Sequence, residues 1–265
     1  MIPLIRKTLR DKKWVLLAWA IGMIALVVMT VAFYPSFSES DAFDQVAKSL
    51  PAQFQSILGD AQSFKKLPNY IGQQIFDLRL PMFTIILAVV MAINLTATEE
   101  ENGTLKTLQT LPISRVSVVL AKWISLGIIT AVVCAAAIPA VWLGVLTIGH
   151  SIDIWPVVGA VCMLWLMTFG FASFTMMLGL GIGRKGIAVG IASLFAFYNI
   201  FLSTLAPSVA RLKDVYKVSL YYYYNNPKLI ITDINWAHVG ILAAALVVFG
   251  LAAILLYQRR DIENA

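Results

Sequence analysis

The chain has 265 residues, of which 60% are apolar and only 13% charged, with a formal net charge of +6. Soluble domains carry about 25% charged residues, so this composition argues against a soluble enzyme. No basic stripe with interleaved aromatics stands in a polar segment, so nucleic acid is not an expected partner, and the positive balance reports membrane orientation instead.

In chain order, uncharged windows run over 14–38, 80–98, 123–152, 154–183, 186–210 and 234–258. Each reaches the roughly 18 to 20 residues that a helix needs to cross about 30 Å of hydrocarbon. The expectation is an all-α polytopic membrane protein, one transmembrane domain over 1–265. Its spans fall at 14–35, 80–98, 120–148, 155–182, 187–207 and 236–257 and are read as free of ionised side chains. Ahead of the first span stand Arg6, Lys7, Arg10, Lys12 and Lys13. They imitate a signal peptide, but the apolar run behind them is too long and lacks a small-residue cleavage site, so it reads as an uncleaved anchor. Residues 2–13 are predicted to form an amphipathic interfacial helix with Ile2, Ile5 and Leu9 against lipid.

The first external loop, 36–79, is long. Phe54, Ile57 and Leu58 predict a short helix at 51–59, and a second at 69–78 feeds span two. Span two runs into three consecutive carboxylates, Glu99, Glu100 and Glu101, then Gly103 and Thr104. That pair reads as a helix stop and an N-cap. Leu105, Leu108 and Leu111 follow at the spacing of one helical face, and Pro112 ends it.

Cys134 and Cys162 fall within spans and read as packing residues, since no His, Asp or Glu shares their depth. Gly179, Gly183, Gly186 and Gly190 surround a tight turn and are compatible with a small-residue helix interface. Between 207 and 236, Tyr221 to Tyr224 flanked by charge read as an interfacial aromatic belt. An even number of spans places both termini on one side. That side, with the 99–122 loop and the 184–185 turn, holds twelve Lys/Arg against six acids; the other holds eight of each. The basic excess marks the first side as cytoplasmic.

Missing motifs narrow the function. There is no GxxxxGK[ST] phosphate loop, no HExxH and no GxSxG. No potassium-filter sequence, arginine-rich sensor helix or intramembrane ionisable relay stands out. Uphill transport by this chain would draw its energy from another chain.

The segment Glu-Glu-Asn-Gly-Thr-Leu-Lys-Thr-Leu-Gln-Thr-Leu-Pro-Ile-Ser-Arg, residues 100–115, resembles the EE-x-G-T-L-x-x-L-x-x-x-P-[IV]-S-R signature of ABC-2 type transporter permeases. It lies directly after span two and precedes Lys122 ahead of span three, as in that family. Gln258-Arg259-Arg260-Asp261-Ile262 resembles the family's x-R-R-D-[IL] tail. Glu99 is an extra acid, so which of the three carboxylates fills the family positions stays open.

The resemblance implies the membrane subunit of an ABC exporter in a bacterial-type cytoplasmic membrane. Its partners would be a separate ABC ATPase in two copies and a second permease chain, identical or paralogous. This chain would carry no cofactor, with ATP and Mg on the partner ATPase. The helix between spans two and three would be the coupling helix. Leu105, Leu108 and Leu111 would fill the ATPase groove, Gly103 would turn, Thr104 would cap, and Glu100, Glu101 and Arg115 would make rim contacts.

The same resemblance puts the pathway at the dimer axis, lined mainly by spans two and five. The candidate lining residues are Thr84, Asn94 and Thr96 in span two, and Ser193, Phe195, Phe197, Tyr198 and Asn199 in span five. Interhelical hydrogen bonding and packing is the competing role for each. An uncharged lining suits a hydrophobic or amphiphilic cargo: drug, antimicrobial peptide or lipid. The rival class is a membrane scaffold or sensor regulated by an ATPase.

Overall fold

A bilayer leaves no water to satisfy a backbone, so a chain this apolar has to close its hydrogen bonds within helices. The computed structural model describes residues 1–38, 66–103, 113–206, 209, 211–224 and 234–260, and the elements among them are all helices, with no strand. Six helical runs are long and apolar enough to cross a membrane: Lys13–Ser36, Leu67–Glu101, Arg115–Thr147, Ile154–Ile182, Lys185–Leu205 and Trp236–Arg259. Each overlaps one of the six expected spans, with the second starting at Leu67, well ahead of 80.

α1, Ile2–Asp11, opens with Pro3 in its first turn, where a missing N–H costs nothing. Ile5 and Leu9, expected against lipid, are half-buried where α1 meets span three, while Ile2 remains exposed. α2, Lys13–Ala32, forms span one and is followed by α3, Tyr34–Ser38. The predicted helix at 51–59 lies outside the described residues.

Span two is three pieces in one run: α4, Leu67–Ile71; a π-helix, Gly72–Arg79; and α5, Leu80–Asn94. The helix expected at 69–78 is thus the π-helical mouth of span two. After a break at Leu95 and Thr96 comes α6, Ala97–Glu101. Span three is α7, Arg115–Ala135, and α8, Ala137–Thr147. The apolar window at 120–148 predicts one continuous helix here. The break at Ala136 has a local cause, because Pro139 has no N–H to offer the carbonyl of Ala135.

α9, Ile154–Ile182, is span four. Asp153 caps it by accepting from the Trp155 N–H at 3.1 Å, and Gly183 ends it at φ +67°. α10, Lys185–Leu205, is span five; α11, Leu212–Tyr216, and α12, Leu220–Tyr224, lead to α13, Trp236–Arg259, which is span six.

α9 is the central post. It packs against α5, α7, α10 and α13, while α2 lies on α7 and α8. Span two is 72% buried over its most apolar window and span four 67%, against 22% for spans one and six. The glycines set close approaches: a Cβ at Gly144 would press on Val31, and one at Gly250 on the Trp123 ring. Of the four glycines around the turn after span four, only the first two are in close contact. Gly179 abuts Thr96 and Gly183 abuts Arg260, whereas Gly186 and Gly190 face open space. Cys134 is buried and Cys162 exposed.

Candidate functional site

The motif-bearing junction starts where span two ends. α6 places three carboxylates in one short helix, and Gly103 closes it with φ +73°, the left-handed conformation that glycine adopts without strain. Thr104, Leu105, Leu108 and Leu111 lie outside the described residues. The chain is described again from Ile113. Ser114 then caps α7, its hydroxyl accepting from the Ser117 N–H at 3.2 Å.

The carboxylates do not act as one patch. Glu99 pairs with Lys122 of α7, whose ammonium also donates to the Leu95 carbonyl at 2.6 Å. Lys122 is 3% exposed. The expectation of spans free of ionised side chains is therefore corrected at this point: Lys122 lies within span three. It is tolerated there because a carboxylate and a helix-terminal carbonyl satisfy it.

Glu100 holds Arg260 in a two-point pair, with Arg260 Nη2 and Nη1 donating to the two carboxylate oxygens at 2.6 and 3.1 Å. Arg260 Nη1 also donates to the Leu180 carbonyl at 3.1 Å. Arg115 Nη1 donates to the Arg260 carbonyl at 2.9 Å. Of the residues expected at an ATPase rim, Glu100 and Arg115 are thus drawn together on the chain's own tail, while Glu101 is exposed. Arg260 belongs to the tail motif, but its partner lies 160 positions away, and spacing alone could not have named it.

The residues suggested as pathway lining divide by burial. Thr84 accepts from the Thr168 hydroxyl at 2.9 Å and is fully buried. Thr96 is buried and donates to the Ala92 carbonyl at 2.6 Å. Asn199 is buried, its side-chain oxygen accepting from the Ser219 hydroxyl at 2.7 Å. Phe195 packs on Phe171 and Phe174. These four face other helices of their own chain, as interhelical polar bonds and packing require. Asn94 is half-buried. Ser193, Phe197 and Tyr198 lie on the exposed face of α10, beside Leu194 and Phe201.

The sequence matches the profile described as ABC-2 family transporter protein over residues 3–262. The chain belongs to the ABC-2 transporter family. It is a multi-pass membrane component of a transporter, and the family in general works with a partner ATPase subunit. No curated protein matches the sequence. Among the described residues, no group of three or more His, Cys, Asp or Glu side chains could hold a metal ion.

At the opposite end of this ABC-2 protein, the tyrosine cluster departs from an aromatic belt. Tyr221 and Tyr224 are buried, and their hydroxyls donate to backbone carbonyls of the π-helix: Tyr221 to Asp77, and Tyr224 to Phe76 at 2.6 Å. Pro81 explains the choice. It denies Asp77 a donor four residues on and Phe76 a donor five residues on, the two spacings of α and π turns. Burial raises the pKa of both hydroxyls, so they remain neutral donors. Tyr222 and Tyr223 lie against His238.

Proposed function

We propose that this chain is the permease subunit of an ATP-driven exporter in a cytoplasmic membrane. It would work with two copies of a separate ATPase and with a second permease chain, identical or paralogous. Both termini and the 99–122 segment face the cytoplasm in this reading. The partner ATPase binds ATP and Mg and carries out the hydrolysis; this chain has no phosphate loop to do so.

The observation that carries the reading is the 100–115 segment. A polar, leucine-striped helix signature stands between spans two and three of a six-span chain that matches the ABC-2 family over nearly its whole length. Leu105, Leu108 and Leu111 would seat in the ATPase groove.

The cargo is proposed to be hydrophobic or amphiphilic. Support comes from the exposed face of α10, where Ser193, Leu194, Phe197, Tyr198 and Phe201 present aromatic and apolar surface with no charge. Thr84, Thr96, Phe195 and Asn199 are better explained as the framework behind that face.

The test is copurification. The chain, purified from its own cells under mild conditions, is expected to bring an ABC ATPase with it. Stripped of that partner, it is expected to hydrolyse no ATP. Hydrolysis that persists in the stripped chain, or a wild-type chain that neither retains nor stimulates any ATPase, would overturn the proposal.

A further inference from the structure

Resting on the coupling role just proposed for 104–112, we infer that Arg260 is a positioning residue for transport: it clamps both flanks of the coupling segment to spans four and six. Glu100 lies four residues before 104 and Arg115 three residues after 112. Both meet on Arg260, the first through its guanidinium and the second through its carbonyl. The same guanidinium donates to Leu180, a last-turn carbonyl of α9 that has no donor within its own helix. Arg260 itself directly follows α13. One residue therefore joins α6, α7, α9 and α13.

The space for it is kept open. Gly183, at the end of α9, sits so close that a Cβ would collide with the guanidinium. Glycine is needed there twice, for this clearance and for its positive φ. Glu100 is 12% exposed and Arg260 24%, so the pair is screened less than a surface ion pair, and its two-point geometry fixes orientation as well as distance.

The consequence is mechanical. A pull on 104–112 is delivered through α6 and the start of α7. With the clamp closed, α9 and α13 have to move with them. Without it, α9 and α13 follow only through helix packing, such as Trp123 of α7 donating to Ser173 of α9 at 2.8 Å, so the motion reaches them less directly. The second pair, Glu99 with Lys122, ties α6 to α7 but does not reach α9 or α13. Of the two ion pairs, the Arg260 clamp is the one that reaches the post.

The experiment uses the full chain with the ATPase that copurifies with it, in detergent with no cargo added. The variants are Arg260→Ala, Glu100→Ala, Arg260→Lys, the swap Glu100→Arg with Arg260→Glu, and Arg259→Ala as an exposed neighbouring control. Three quantities are read: ATPase binding, permease-stimulated ATP hydrolysis and melting temperature. Arg260→Ala and Glu100→Ala are expected to bind the ATPase as wild type does but to stimulate it at least about fivefold less. Arg260→Lys is expected to fall between, and the swap to recover most of the stimulation. A purely structural role would lower melting and binding together and leave no such split.

Wild-type stimulation by Arg260→Ala would overturn the clamp. So would a loss of ATPase binding as large as the loss of stimulation, since the tail would then be docking surface. If the alanine variants fail to fold, the swap decides: a folded swap without stimulation overturns the proposal. A wild-type chain that binds no ATPase removes the transport reading, and this inference with it. A double-mutant cycle on melting temperature for Glu100 and Arg260 still reads the ion pair in that case, so the two failures are told apart.

Discussion

At the scale of single residues, Pro81 has the longest reach. It sits in the first turn of α5 and withdraws one backbone donor, and two carbonyls of the π-helix, on Phe76 and Asp77, turn to hydroxyls of α12. Each such hydrogen bond contributes about 0.5 to 1.5 kcal/mol. The tyrosines also link stability to pH. Burial holds both above their ordinary value, so above about pH 10 the unfolded chain loses these protons while the folded chain keeps them. The unfolded state then binds fewer protons, and stability falls as pH rises. Melting of the detergent-solubilised protein is expected to decline between about pH 9 and 11. The double variant Tyr221→Phe with Tyr224→Phe should melt lower at neutral pH and lose part of that alkaline decline. An unchanged alkaline slope would show that these hydroxyls do not carry the linkage. The sequence displayed Pro81 and the tyrosines but not their pairing, because the partners are about 145 positions apart and composition alone suggested an interface belt. Gly103 was legible, since the demand for positive φ after an acidic helix is local.

At the scale of elements, the six spans were readable because length and apolarity alone decide what can cross a bilayer. Their interruptions were less so. The break at Ala136 follows from Pro139, and the turning of the Phe76 and Asp77 carbonyls to tyrosine hydroxyls from Pro81, yet length and apolarity do not register either proline inside a long apolar window. The segment on which the proposed function depends most, 104–112, rests on its sequence spacing alone: leucines at 105, 108 and 111 between Gly103 and Pro112. Truncating a side chain that fills a packed partner groove costs roughly 1 to 3 kcal/mol, about ten- to a hundredfold in affinity. Leu108→Asp should cost more, because it would bury an unpaired carboxylate. The change lies outside the spans, so the variant is expected to insert and fold normally while losing ATPase binding. Lys106→Ala, on the opposite face, should bind as wild type. Wild-type pull-down and stimulation by Leu108→Asp would reduce 104–112 to a connector.

At the scale of the whole molecule, the carboxylate junction and the tyrosine-bound mouth sit at opposite ends of span two, and the charge asymmetry is the ground for the proposed orientation, with the junction towards the cytoplasm. Twelve Lys/Arg against six acids on one side, and eight of each on the other, is an imbalance in basic residues rather than in acids, which is the quantity that orients spans. The basic residues nearest a span also have identifiable work: Lys122 and Arg260 are consumed in ion pairs at the junction, while Arg6, Lys7 and Arg10 are exposed on α1, free to face headgroups. Orientation is therefore tested by accessibility. In a background of Cys134→Ala and Cys162→Ala, single cysteines at Ser56→Cys, Gln109→Cys and Asn264→Cys are exposed in intact cells to a membrane-impermeant thiol reagent. Only the first is expected to react; the other two should label once the cells are opened. The Gln109→Cys result carries the most weight. It lies in the proposed coupling segment, and labelling from outside would place that segment beyond the reach of any cytoplasmic ATPase, so the orientation and the coupling role would fall together.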